Sequence, residues 1–90
     1  MSSTAADPAL FRAIADPARR DVLDLLRGGE RAVGDLLASF SFSQPALSKH
    51  LRILREAGLV AARKEGRIRW YRLRAAGLRQ VYDWVGHYEQ

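Results

Sequence analysis

The 90-residue chain contains no cysteine, so disulfides, thiolate metal sites and cysteine nucleophiles are excluded together. A reducing, cytoplasmic setting is the simplest reading of that absence. Long hydrophobic runs are missing too. No stretch approaches the roughly 18 apolar residues of a membrane span, and the opening MSSTAADPAL lacks the basic-then-apolar order of a secretory signal. Catalytic patterns are equally absent: there is no glycine-rich phosphate loop, no paired-carboxylate constellation and no nucleophile beside an evident base. Ser48 and His50 stand two apart, so on a helix they point in different directions. With only three prolines and an ordinary apolar share, the chain is not of the disordered kind. These exclusions leave a non-enzymatic single domain over residues 1–90, frayed at residues 1–6 and long enough for one core.

Positive charge is present and unevenly placed. Residues 1–40 hold five Lys or Arg against six Asp or Glu, residues 41–72 hold eight against two, and residues 73–90 hold two against two. The net charge of +5 therefore sits almost wholly in the middle third of the chain. A concentrated basic patch of this kind attracts a polyanion and speeds its encounter.

The first half reads as short helices. Asp7-Pro8 and Asp16-Pro17 are both N-cap-then-proline signals. They predict a first helix to about Ala15, with Leu10, Phe11 and Ile14 on one side. A second helix follows, whose Val22, Leu23, Leu25 and Leu26 face inward and which Gly28-Gly29 ends. A third short helix is expected over Ala32–Ala38. Phe40 and Phe42 in the connection after it read as plugs between helices three and four.

The fourth helix carries the chemistry. Ser43 reads as its N-cap and Pro45 lies in its first turn, where no intrahelical bond is lost. Leu47, Leu51 and Leu54 fall on one face. Ser43, Gln44, Ser48, Lys49 and Arg52 fall mostly on others, and the helix stops near Glu56 with Gly58 behind it. Such a helix suits the DNA major groove: Gln pairs with an adenine edge, Lys or Arg with guanine, and Ser with phosphate or either base.

Leu59–Lys64 and Arg67–Leu73 read as two strands joined at Glu65-Gly66, a tight hairpin with glycine available for positive φ. In the second strand Arg69, Tyr71 and Leu73 share one face, with Tyr71 and Leu73 expected toward the core. The basic residues Arg63, Lys64, Arg67 and Arg69 would supply sequence-independent affinity for phosphates. A last helix is expected over Ala75–Glu89, with Leu78, Val81, Tyr82 and Val85 at helical spacing and Trp84 and Tyr88 widening the apolar face. That is more apolar surface than one terminal helix on a small domain needs. A homodimer through the first and last helices (Leu10, Phe11, Ile14, Leu78, Val81, Tyr82 and Val85) would cover it.

In fold class the chain is mainly α with a small β-hairpin, in the order α-α-α-α-β-β-α, a winged helix-turn-helix. Three blocks, FRAIADPARRDVLDLL (residues 11–26), FSQPALSKHLRILREAGLV (residues 42–60) and EGRIRWYRL (residues 65–73), closely resemble the ArsR family of bacterial transcriptional repressors. Within it the chain is similar to the metal-independent autorepressor branch. The resemblance, which covers about residues 9–88, implies a homodimer on a palindromic double-stranded DNA operator. Position by position it puts Ser43, Gln44, Pro45, Ala46, Ser48, Lys49 and Arg52 at the DNA-facing positions of the recognition helix, the wing on flanking phosphates, and His50 in a packing or phosphate-contacting role.

Some features of the family are missing. The stretch matching the paired-cysteine box of its metal sensors is Arg31-Ala32-Val33-Gly34-Asp35-Leu36, which has no soft ligand. Asp83 and His87, four apart on the last helix, are the remaining basis for a zinc-responsive alternative. A protein-interaction winged helix is the alternative from another class. No cofactor, resident metal or membrane partner is expected, and no residue pattern identifies an inducer.

Overall fold

Each of the two Asp-Pro steps starts a helix. A computed structural model describes residues 7–89, so the expected fraying of residues 1–6 lies outside the described residues. Helix α1 runs Pro8–Ile14 behind Asp7, whose carboxylate accepts from the Ala9 amide at 3.0 Å. Helix α2 runs Pro17–Leu26 behind Asp16, which accepts from the Ala18 amide at 2.8 Å. Each carboxylate satisfies an amide that a helix start leaves unpaired, and proline brings no amide of its own. The bond from the Ala18 amide, and then the Arg19 charge, hold the Asp16 carboxyl below its ordinary pKa.

Seven residues are too few for α1 to be stable alone, and α2 supplies what it lacks. Arg19 donates from Nε to the Ala13 carbonyl at 2.8 Å and from Nη2 to the Arg12 carbonyl at 3.1 Å. Arg20 donates from Nη1 to the Ile14 carbonyl at 2.7 Å. Two guanidinium groups thus close the negative end of α1, adding to the one backbone bond that the Ala15 amide makes to the Arg12 carbonyl at 3.3 Å.

The third helix, α3, runs Val33–Ser39, one residue later than expected. Arg31–Ala32 before it forms a two-residue strand, β1, that pairs antiparallel with the third strand. Helix α4 covers Gln44–Glu56. It ends on Gly58 at φ +80°, with the Leu59 amide bonded to the Leu54 carbonyl at 2.9 Å and the Gly58 amide to the Arg55 carbonyl at 3.0 Å. These two bonds satisfy the helix's last carbonyls around a left-handed residue.

Strands β2 (Val60–Glu65) and β3 (Ile68–Leu73) follow. The sheet therefore has three strands, in the order β1-β3-β2, where the sequence predicted a simple hairpin. The turn is also one residue further on than expected. Glu65 pairs with Ile68, so the connecting residues are Gly66 and Arg67. Gly66 takes φ +63° and no non-glycine among the described residues has positive φ. A two-residue turn with positive φ at its first position alone needs glycine only there.

The predicted single last helix is divided into a 3-10 turn over Ala75–Leu78 and helix α5 over Arg79–Gly86. The turn lies on the C-terminal end of α4: a Cβ at Gly77 would collide with the Gly58 carbonyl.

The core is one cluster. Val22 and Leu26 of α2, Leu36 of α3, Leu47 and Leu54 of α4, and Leu59 and Val60 are at most 2% exposed. Each such side chain contributes about 1.5–3 kcal/mol relative to leaving it in water. Tyr71 is buried as expected, whereas Leu73 is only half-buried. Leu10, at 2% exposure, is sealed in the core of its own chain, so it leaves the expected interface set. Helix α5 contributes no fully buried residue.

Candidate nucleic-acid interface

Helix α4 is set by its two sides. Leu47, Leu51 and Leu54 anchor it, at 1%, 2% and 0% exposure. Ser43 caps it, its hydroxyl accepting from the Ala46 amide at 3.2 Å, a bond that stabilises a helix by about 1 kcal/mol. The same hydroxyl still has its O–H to donate outward. Gln44, Pro45, Ser48, Lys49 and Arg52 are exposed. Gln44, Ser48 and Arg52 follow each other at intervals of four, which makes a single ridge, and Lys49 stands beside it. Ala46 differs from the rest of the expected set: it is half-buried, on the flank it shares with His50 four residues on. His50 is half-buried, its ring 5.1 Å from that of Phe42 and its Nδ1 3.5 Å from Arg19 Nη1. It therefore packs between α4 and α2 and stands off that ridge. Phe42 in turn stacks on Phe40 at 4.9 Å, and both are half-buried against the core, as expected of plugs.

The hairpin sorts its charges by face. Residues opposite each other share a face, so Lys64 and Arg69 lie with Ala62 and Tyr71 on the helix-packed side, while Arg63 lies with Trp70 on the other. Lys64 and Arg69 are exposed and directly opposed across the ladder. Like charges so placed are unfavourable in the free protein, and a bound polyanion would relieve the repulsion. Arg67 occupies the turn. Among the described residues no carboxylate lies within ion-pair distance of Lys49, Arg52, Lys64, Arg67 or Arg69. The structure does not bring Arg63 into this group. Its guanidinium is bonded to Glu30 and Glu65 and covers the Trp70 ring at 5.5 Å. Nothing local in the sequence marks Glu30 as its partner, thirty-three positions away; strand alternation alone would have separated Arg63 from Lys64 and Arg69.

Apart from Ile68 of β3, the large apolar side chains exposed among the described residues lie in α5 and just after it. Tyr82 is 74% exposed, Tyr88 73%, Trp84 46% and Val85 42%. Trp84 meets Phe11 of α1 edge-on at 5.3 Å and Tyr88 at 5.4 Å, so α1 and α5 present one aromatic face. Phe11, Ile14, Leu78 and Val81 are half-buried, the last three packed against the chain's own core. Asp83 pairs with Arg79 at 3.3 Å. Among the described residues no three His, Asp or Glu side chains gather where a metal could bind, and none of the helices is long and apolar enough to cross a membrane.

Helices flanking a small sheet, a polar-faced helix locked by three leucines and a cationic hairpin beside it together define a winged helix-turn-helix DNA-binding domain. The chain belongs to the ArsR family: residues 16–62 match the profile of the bacterial regulatory proteins of the arsR family. It is 38% identical over 76 residues to the transcriptional repressor SdpR of Bacillus subtilis (strain 168), covering 84% of each chain. It is 42% identical over 72 residues to the arsenical resistance operon repressor of Staphylococcus aureus, covering 80% of this chain and 69% of that one. A solved structure of a possible transcriptional regulator for arsenical resistance superposes with a TM-score of 0.82 at 43% identity, over 91% of this chain and 85% of that one. The chain is a DNA-binding transcriptional repressor, and it is not an enzyme.

Proposed function

We propose that the chain is a cytoplasmic, homodimeric, metal-independent repressor that occupies a palindromic operator in its own promoter and occludes polymerase. The observation that carries this reading is the α4 ridge, where Gln44, Ser48, Lys49 and Arg52 are exposed over a buried leucine stripe and the two cations have no carboxylate partner among the described residues. In the bound state the ridge enters the major groove, Lys49 and Arg52 meet guanine edges and Gln44 an adenine edge. The capped start of α4, with Ser43, Pro45 and the half-buried Ala46, passes the phosphates. Lys64, Arg67 and Arg69 clamp the flanking backbone. The aromatic face of α1 and α5 supports pairing of two copies of this single domain. The donor set supports metal independence: the chain has no cysteine, and the Asp83 carboxylate is engaged by Arg79.

Mobility shift on a duplex from the region upstream of the gene tests this reading. Affinity should fall steeply and linearly on a log scale with salt, and Arg69→Gln should reduce that slope by about 0.9 for each phosphate contact it removes. Binding that is weak, salt-sensitive and equal for every duplex would overturn the specific-repressor reading. An unchanged slope in Arg69→Gln would remove the wing from the interface.

A further inference from the structure

The wing carries one arginine that its phosphate-facing side does not use. Arg63 donates from Nε to Glu30 Oε2 at 2.9 Å and from Nη2 to Glu30 Oε1 at 2.8 Å, a two-pronged pairing that only a guanidinium makes. Its third nitrogen, Nη1, donates to Glu65 Oε1 at 2.8 Å. The register puts Arg63 opposite Trp70, and Trp70 opposite Ala32. Glu30, two residues before Ala32, thus reaches Arg63 from the far edge of the sheet. The ion pair ties the residue just before β1 to β2, across β3 and over the Trp70 indole. The Arg63 hydrogen bond holds the Glu30 carboxyl below its ordinary pKa, and Glu30 with Glu65 holds the guanidinium above its own, so the pair stays charged at neutral pH.

The wing tip has little else to hold it. Burial fades along β2 from Val60, and residues 63–69 are all exposed. Lys64 and Arg69 repel each other across the ladder, and a bare two-stranded ribbon is marginal in water. We propose that Glu30 and Arg63 are positioning residues for DNA binding: their pair straps the wing across the sheet and fixes Lys64, Arg67 and Arg69 before the operator arrives. The inference rests on the reading of the wing as a phosphate clamp. It gives an acid on a DNA-binding domain a role that raises affinity, because a pre-ordered wing loses less conformational freedom on binding.

The sign of one substitution separates this role from plain charge. Glu30→Gln removes a negative charge, so electrostatics alone predicts tighter binding to the promoter duplex. The strap predicts binding weakened by roughly tenfold, from freeing the wing side chains, with the salt slope unchanged. Arg63→Gln should do the same; a slope reduced by about 0.9 would instead make Arg63 a phosphate contact and overturn the proposal. In the free protein, amide exchange over residues 64–69 should quicken in Glu30→Gln while the rest of the chain keeps its protection. The exchanged pair, Glu30→Arg with Arg63→Glu, made in a Glu65→Gln background so that no carboxylate faces the new one, should restore both readouts to those of Glu65→Gln alone. Unchanged exchange at the tip, or unchanged or tighter DNA binding by Glu30→Gln, overturns the strap. Loss of salt-dependent operator binding by the unsubstituted chain is the separate failure of the clamp itself.

Discussion

A chain carrying Lys49→Ala and Arg52→Ala should lose operator affinity by more than about a hundredfold while remaining a folded dimer. A good side-chain contact to a base edge discriminates by about 1–3 kcal/mol. The proposed reading ridge would lose two such contacts per chain, and each 1.4 kcal/mol is about tenfold in the binding constant. The fold should not notice. Both side chains are exposed, neither is ion-paired among the described residues, and alanine is the best helix former at such positions. Mobility shift gives the affinity, and light scattering with a thermal melt gives the state of the protein. Retained binding within a few-fold would mean that α4 reads DNA with another face, or that this ridge docks a protein instead.

Replacing Tyr82 and Val85 together with aspartate should convert the proposed dimer into folded monomers. In the single chain these side chains are 74% and 42% exposed and contribute nothing to the buried core, so the monomer tolerates the change. Burying two carboxylates per chain in an aromatic interface without partners costs several kcal/mol. Val81 is a poorer choice, because it packs against the chain's own core and its replacement would mix unfolding with dissociation. Operator affinity should fall with the dimer by about 10²- to 10⁴-fold, the advantage of linking two half-site contacts. A variant that keeps its dimer mass in light scattering would place the interface elsewhere.

What the sequence revealed follows the range of the interactions involved. Helix α4 was legible almost to the residue, because its cap, its leucine spacing and its terminating Gly58 are all local rules. The two Asp-Pro starts were legible for the same reason. Strand β1 was not: Arg31 and Ala32 are too few to show alternation, and they are a strand only because Tyr71 and Trp70 lie beside them. The turn was misplaced by one because Glu65-Gly66 and Gly66-Arg67 both offer a glycine, and only the register with Ile68 decides between them. The division of the last helix depends on Gly77 meeting Gly58, nineteen residues back. In the site, exposure of the α4 ridge followed from periodicity, but counting wing cations by charge grouped Arg63 with Lys64 and Arg69. Its partner Glu30 belongs to a distant loop, and Leu10, grouped with the outward face of α1, is claimed by the core of its own chain.

Footprinting the unsubstituted protein on its own upstream region decides whether two copies of the α4 ridge read one two-fold DNA site. Two symmetric protected half-sites should appear, their centres separated by about one helical turn, roughly 10 base pairs, with guanine interference in the major groove of each. Uniform protection with no boundaries, or a single half-site without its symmetric mate, would contradict the two-fold reading.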